Sequence, residues 1–208
     1  MYVLGINGSN NPNGTLDQML ATFMDTVNCD SKETLLLRDL SLKPCRGCLH
    51  CVQDNRCILP DDWNGLQDKL SEAEVLVIAA PTYFSDALGV NALTHLFLER
   101  WFALRHVGLK LKLKKVVVLL ASASGMTDHA AAGLKKFFEV YYMIPETEFI
   151  IAQGTMPCMV CGEGETCPTS GFVVFFGGAT KITPDLLPSL AKQPAIVSRL
   201  REAALAIK

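Results

Sequence analysis

The chain has 208 residues, 50% of them hydrophobic and 19% charged, which suits one packed core with an appendage and excludes a disordered chain. Nineteen Lys and Arg against twenty-one Asp and Glu leave a net charge of −2, with no basic field for nucleic acid or an anionic membrane. The apolar runs at residues 75–80, 116–121 and 172–176 fall far short of the roughly 20 residues that span a bilayer. Residues 1–6 lack the basic start of a signal peptide, so a cytoplasmic location is expected.

Residues 2–6 read as a first strand. Leu16, Met19, Leu20, Phe23, Met24 and Val27 then recur at three and four residues, the stripe of an amphipathic helix. Thr15-Leu16-Asp17-Gln18 fits a capping box and puts its start at Thr15. Residues 34–37 form a second strand. Two acids followed by Trp63, Leu66 and Leu70 on one face predict a helix over 61–73. Residues 75–80 are apolar throughout, as in a strand covered on both faces. A helix around 90–104, a strand at 115–121, a helix around 129–143 and a strand at 148–152 follow. Residues 154–171 read as a loop, and after a short apolar run come one or two helices broken by Pro188 and Pro194.

Five strands alternating with helices predict an α/β fold with a doubly wound parallel sheet. Ligands in such sheets sit beyond the carboxyl ends of the strands, at the switch point. The loops there have the composition for it. Residues 7–15, Asn-Gly-Ser-Asn-Asn-Pro-Asn-Gly-Thr, run into a helix whose free amides favour a phosphate, with Ser9, Asn11, Gly14 and Thr15 as contacts. Neither a Gly-x-Gly-x-x-Gly nor a Walker spacing is present, and an ordinary capped turn is the competing reading. Pro81-Thr82-Tyr83-Phe84-Ser85 offers two aromatics to flank a planar ring, or merely to cover the sheet. Ser122 and Ser124, in Ser-Ala-Ser-Gly, suit close approach to a ligand or a simple turn.

Together these loops resemble the flavodoxin-like superfamily, in particular its NADPH-dependent FMN reductase-like branch. Gly8-Ser9 and Gly14-Thr15 match the ends of that branch's phosphate loop, with Asn10-Asn11 in place of Pro-Arg. Pro81-Thr82-Tyr83-Phe84 matches its flavin-ring loop, and Glu99-Arg100 stands for its acidic-Arg pair at a longer spacing. The resemblance implies strand order 2-1-3-4-5 and FMN as cofactor. The Asn10-Asn11 departure leaves the phosphate to hydroxyls and amides rather than to a charged side chain.

Eight cysteines are many for a reducing compartment, where grouping points to metal or redox chemistry rather than disulfides. Cys45, Cys48, Cys51 and Cys57 give Cys-x2-Cys-x2-Cys-x5-Cys, a spacing that folds around one [4Fe–4S] cluster. Zinc is the rival metal, although tetrathiolate zinc sites favour two separated pairs, and metal-free thiols are the third reading. The motif resembles the iron–sulfur flavoproteins of the same branch. That resemblance implies FMN and one [4Fe–4S] per subunit, in a homodimer or homotetramer where a cluster nears a neighbour's flavin. Lys43, Arg46 and Arg56 against Asp54 offset cluster charge, dock an acidic ferredoxin-like donor, or are simply solvated. His50 reads as a surface residue.

Cys158, Cys161 and Cys167 form a second group, open to a second cluster, zinc, dithiol chemistry or unliganded thiols. Cys29 reads as a buried bystander. His95, His106 and His129 are isolated, and Trp101 with Phe137, Phe138, Tyr141 and Tyr142 reads as core or subunit interface. The organisation expected is an FMN-binding domain over 1–153 carrying the cysteine loop 43–60, with 154–208 packed on the same domain. The function expected is an oxidoreductase passing electrons between one-electron carriers and a two-electron partner, with no side-chain acid, base or nucleophile required. Alternatives are an NAD(P)H-dependent FMN or quinone reductase with structural zinc, and a non-enzymatic electron carrier.

Overall fold

The computed structural model describes residues 1–84, 86–108 and 111–208. Five parallel strands, β1 (Tyr2–Asn7), β2 (Ser31–Leu36), β3 (Val75–Pro81), β4 (Lys115–Ser122) and β5 (Glu146–Gln153), lie in the order β2-β1-β3-β4-β5. The strand order reverses at β1. Its neighbours are β2 on one side and β3 on the other, which makes the β1–β3 edge the topological switch point, where ligands of such sheets bind.

Successive residues of the central strands serve opposite cores. Leu4, Ile6, Leu76, Ile78, Val116, Val118 and Leu120 pack with α2 (Trp63–Glu72), α3 (Ala92–Arg100) and α4 (Asp128–Lys135). Val3, Val75, Val77, Val117 and Leu119 pack with α1 (Thr15–Thr26) and α6 (Pro194–Leu205). Burial on both faces is why these strands read as unbroken apolar runs. β2 differs: its first half, Ser31-Lys32-Glu33, is polar because it forms a sheet edge. The strand therefore begins three residues before its apolar part.

α1 starts at Thr15 as the sequence reads, whereas two later helices depart from that reading at their ends. The capping box does not form: Gly14 occupies the N-cap without a side-chain bond, and Gln18 Nε2 donates to the Asn13 carbonyl instead. The helix over 90–104 is α3 followed by a tight 3-10 turn, Trp101–Leu104. α4 ends in a π-helical turn, Lys136–Tyr141, around which Phe137, Phe138 and Tyr142 meet Trp101 edge-on. Trp101 is fully buried, so this aromatic set is core, with Tyr141 outside it. The apolar run at 172–176 lies in the short helix α5 (Gly171–Phe176). Among the described residues no helix is long and apolar enough to cross a membrane.

Candidate flavin site and cysteine loops

The loop after β1 is built around Asn7. Its Oδ1 accepts the Ser9 N–H at 2.8 Å, and its amide donates to Asp17 in the first turn of α1. Gly8 donates to the Ala79 carbonyl of β3, and its own carbonyl accepts from Asn91 Nδ2 at 2.7 Å. A Cβ on Gly8 would lie 2.1 Å from Thr94 Oγ1, so only glycine lets the loop pass over α3. Asn91 in turn caps α3 by accepting from Thr94 N–H. Ser9 is buried and its hydroxyl accepts the Asn11 N–H; Gly14 and Thr15 are half-buried where α1 presents its first amides.

Sequence reasoning missed Arg38. It donates to the Ser9 carbonyl at 3.1 Å and to both oxygens of Asp17. Burial would raise the Asp17 carboxyl's pKa, but Arg38, the Asn13 N–H and Asn7 outweigh it and hold it below the ordinary range. The pair thus cancels a carboxylate standing in the first turn of α1, where uncompensated charge would repel a phosphate. No motif betrays this role, because Arg38 lies on a tight turn after the edge strand.

The loop after β3 is tied on both sides. Thr82 donates to Ala121 of β4, and Tyr83 to the Gly89 carbonyl. Tyr83 and Phe84 are 45% and 77% exposed, so neither covers the sheet. Phe84 and Asp86 adopt positive φ, 53° and 72°, a costly conformation for residues with a Cβ. The buried Asp86 carboxylate holds it by accepting the His129 and Ala130 N–H groups, which caps α4 from a distant loop. Ser85 lies outside the described residues. In the loop after β4 the Ser122 hydroxyl is buried and donates to Met126 O, and Ser124 Oγ accepts from Met126 N, so both hydroxyls serve the turn.

The first cysteine loop leaves and rejoins the fold at one anchor. Arg100, at the end of α3, forms an ion pair with Asp61 whose side chains are 1% and 0% exposed. Arg100 also donates to Lys43 O at 2.7 Å, while Asp61 accepts the Lys43 and Trp63 N–H groups. Burial pushes the Asp61 carboxyl up, but Arg100 and these N–H groups overcome that and hold it low. Burial likewise opposes the charge of Arg100, and Asp61 with the nearby Cys57 thiol more than restores it. Glu99 accepts the Cys45 N–H, and Asn64 brackets Cys57 through its N–H and carbonyl. The Glu99-Arg100 pair therefore holds the cysteine loop.

Cys45, Cys48, Cys51 and Cys57 line a single small cavity together with Arg100 and Phe102. Burial raises the Cys51 thiol, and the other three thiols add to that. Leu49 reaches this arrangement only by adopting positive φ (60°). His50 is exposed, and Arg56 pairs with Asp68 at 2.5 Å, which removes one of the loop's three cations from the outward field. Among the described residues no three His, Cys, Asp or Glu side chains converge closely enough to hold one metal ion, and this applies to both cysteine groups. For the first group, four thiols lining one cavity are the donor set that a polynuclear centre would take, one thiolate to each iron.

The second group starts where β5 meets the loop after β4: Gly154 donates to Ser122 O, and Gln153 Nε2 to Ala123 O. Cys158 lies in a 3-10 turn, Pro157–Met159. The N–H groups of Phe172 and Gly171, against partial burial, hold its thiol below the ordinary range. Cys161 is exposed and its Sγ donates to Cys158 O, whereas Cys167 Sγ faces the Thr169 hydroxyl at 3.4 Å. Cys29 is partly buried against the α1 core rather than fully enclosed.

A parallel sheet wound 2-1-3-4-5, with glycine and aromatic loops gathered beyond β1, β3 and β4, is the flavodoxin-like arrangement. The chain belongs to the NADPH-dependent FMN reductase family, which matches residues 1–155, and is an FMN-dependent oxidoreductase. An iron-sulfur flavoprotein of Methanocaldococcus jannaschii is 30% identical over 148 residues, covering 69% of this chain and 75% of its own. One from Archaeoglobus fulgidus is 29% identical over 163 residues, covering 76% and 79%. Among solved structures, a Streptococcus mutans protein covers all of both chains with TM-score 0.65 and 14% identity. An NAD(P)H:quinone oxidoreductase from Methanothermobacter marburgensis matches with TM-score 0.61 and 14% identity, covering 98% and 95%. At such identity these structures speak to the fold.

Proposed function

We propose that this flavin oxidoreductase holds one [4Fe–4S] cluster on Cys45, Cys48, Cys51 and Cys57, and passes electrons between one-electron carriers and a two-electron partner. The observation that carries this reading is the cavity that all four thiols share with a buried, permanently charged guanidinium. Arg100 is fixed by Asp61 and faces the place where thiolates and sulfides would accumulate negative charge. The names of the two archaeal relatives support the same assignment.

FMN, when bound, supplies a ring that exchanges electrons singly or as a pair. The chain's own groups orient it. Ser9, Asn11, Gly14 and Thr15, with the first amides of α1, present donors to the phosphate. Tyr83 and Phe84 of residues 81–84 would flank the ring, and the loop of Ser122 and Ser124 would offer it backbone groups. The Asp86 clamp on α4 keeps the aromatic loop in its positive-φ conformation and so preserves the ring's seat.

We further propose a homodimer or homotetramer working in the cytoplasm, with a ferredoxin-like protein or NAD(P)H as donor. Phe84, Leu88 and Met126 are exposed on the loops beside the flavin seat and suit contact with a second copy. Anaerobic purification, a visible spectrum, and assays of iron, sulfide, zinc and flavin test the reading. Flavin together with near-stoichiometric iron and sulfide for one cluster is expected. Flavin with zinc, or with no iron and sulfide after anaerobic reconstitution, would overturn it.

A further inference from the structure

We infer that Cys158 and Cys161 form a redox-active dithiol that exchanges with a small aliphatic disulfide. The pair stands apart from the flavin and cluster reading and does not depend on it. Both thiols belong to one turn: Cys161 Sγ lies 3.5 Å from the Cys158 carbonyl oxygen, against which its S–H is directed. The turn is clamped. Gly164 packs on that same carbonyl so closely that a Cβ would lie 1.8 Å from the oxygen, and Ser170 Oγ donates to Gly164 O. Cys158 is half-exposed and Cys161 exposed, so a solute reaches both.

Their surroundings divide the labour. Cys158 Sγ receives the N–H groups of Phe172 and Gly171, which favour the thiolate and make it the attacking sulfur. Cys161, whose S–H is directed to the Cys158 carbonyl, acts as the resolving thiol. Cys167 is turned to Thr169 and takes no part. The thiolate of Cys158 attacks one sulfur of R–S–S–R, forming a mixed disulfide and releasing RS⁻, which takes a proton. Cys161, losing its proton, then attacks Cys158 Sγ and expels the second RS⁻. The disulfide is reduced to two thiols while the two cysteines are oxidised to an internal bridge.

The test exposes the purified holoprotein, and its Cys158→Ser, Cys161→Ser and Cys167→Ser variants, to oxidised glutathione under anaerobic conditions. Trypsin releases residues 137–181 as one peptide containing all three cysteines, and fragmentation locates each bond. Wild type and Cys167→Ser should form the 158–161 bridge. Cys161→Ser should stop with glutathione on Cys158, and Cys158→Ser should react at least about tenfold more slowly. Flavin content equal to wild type confirms that each variant is folded. A bridge to Cys167, equal reactivity of all three thiols, or no bridge at any glutathione ratio would overturn the inference.

Discussion

The loop over 43–60 and the loop over 154–170 each carry cysteines three residues apart, yet the fold supports them differently. The first is backed by a buried ion pair, a tryptophan and two helix ends, and its four thiols face one cavity. The second is backed mainly by its own backbone, with Gly164 and Ser170 closing it, and its thiols face separate partners. Ligand spacing alone does not distinguish the two. The difference lies in a platform with a fixed countercharge, which gathers four thiols at one cavity.

The largest effect should come from the first loop's sulfurs. Cys51→Ser is expected to abolish iron and sulfide while flavin remains, whereas Cys161→Ser keeps both; metal analysis against flavin absorbance reads the contrast. Next comes the platform. Arg100→Met strands the Asp61 carboxylate in the core and should cost about 3–5 kcal/mol, measured by urea unfolding of the apoprotein. Comparable stability in the variant would mean that the anchor is dispensable.

Acid should separate the loops as well. Because the folded carboxyl of Asp61 titrates below its unfolded value, its stabilisation is complete above the ordinary carboxylate range and disappears as pH falls through the lower, folded value. Protection of the Lys43 and Trp63 amides from hydrogen exchange should therefore persist to about pH 4 and fail below it, while residues 157–160 show no matching step. Smaller still, Ser170→Ala removes the cap of α5 and should cost about 1 kcal/mol, seen as faster exchange at Val173. Cys29→Ser, which touches neither loop, should stay within about 0.5 kcal/mol of wild type.

The sheet was readable from sequence because its central strands are apolar on both faces, and β2 was truncated only where its edge turns polar. That Cys45, Cys48, Cys51 and Cys57 share one cavity follows from a spacing that is local in the chain. Arg100 and Asp61 were not: they are 39 residues apart, and their pairing exists only once α3 lies across the loop's exit. Asp86 likewise looks like an ordinary turn residue, although it caps a helix beginning 42 residues later. The start of α1 at Thr15 is as the sequence reads, but the role of Asp17 is not, since it answers to Arg38 from beyond β2.

The anchor at Lys43 and Asp61 has a consequence for how the chain can change. Ser41 and Asp62 exchange hydrogen bonds, and Lys43 is bound from both its N–H and its carbonyl, so the two ends of the insert are stitched side by side. Between those ends the insert is also knitted to its surroundings, Asn55 to Gln67 and His106, and Arg56 to Asp68, yet no strand pairing passes through it. Changes at 44–60 therefore fall on the elements that flank it and leave the sheet register, and the loops that the register positions, where they are.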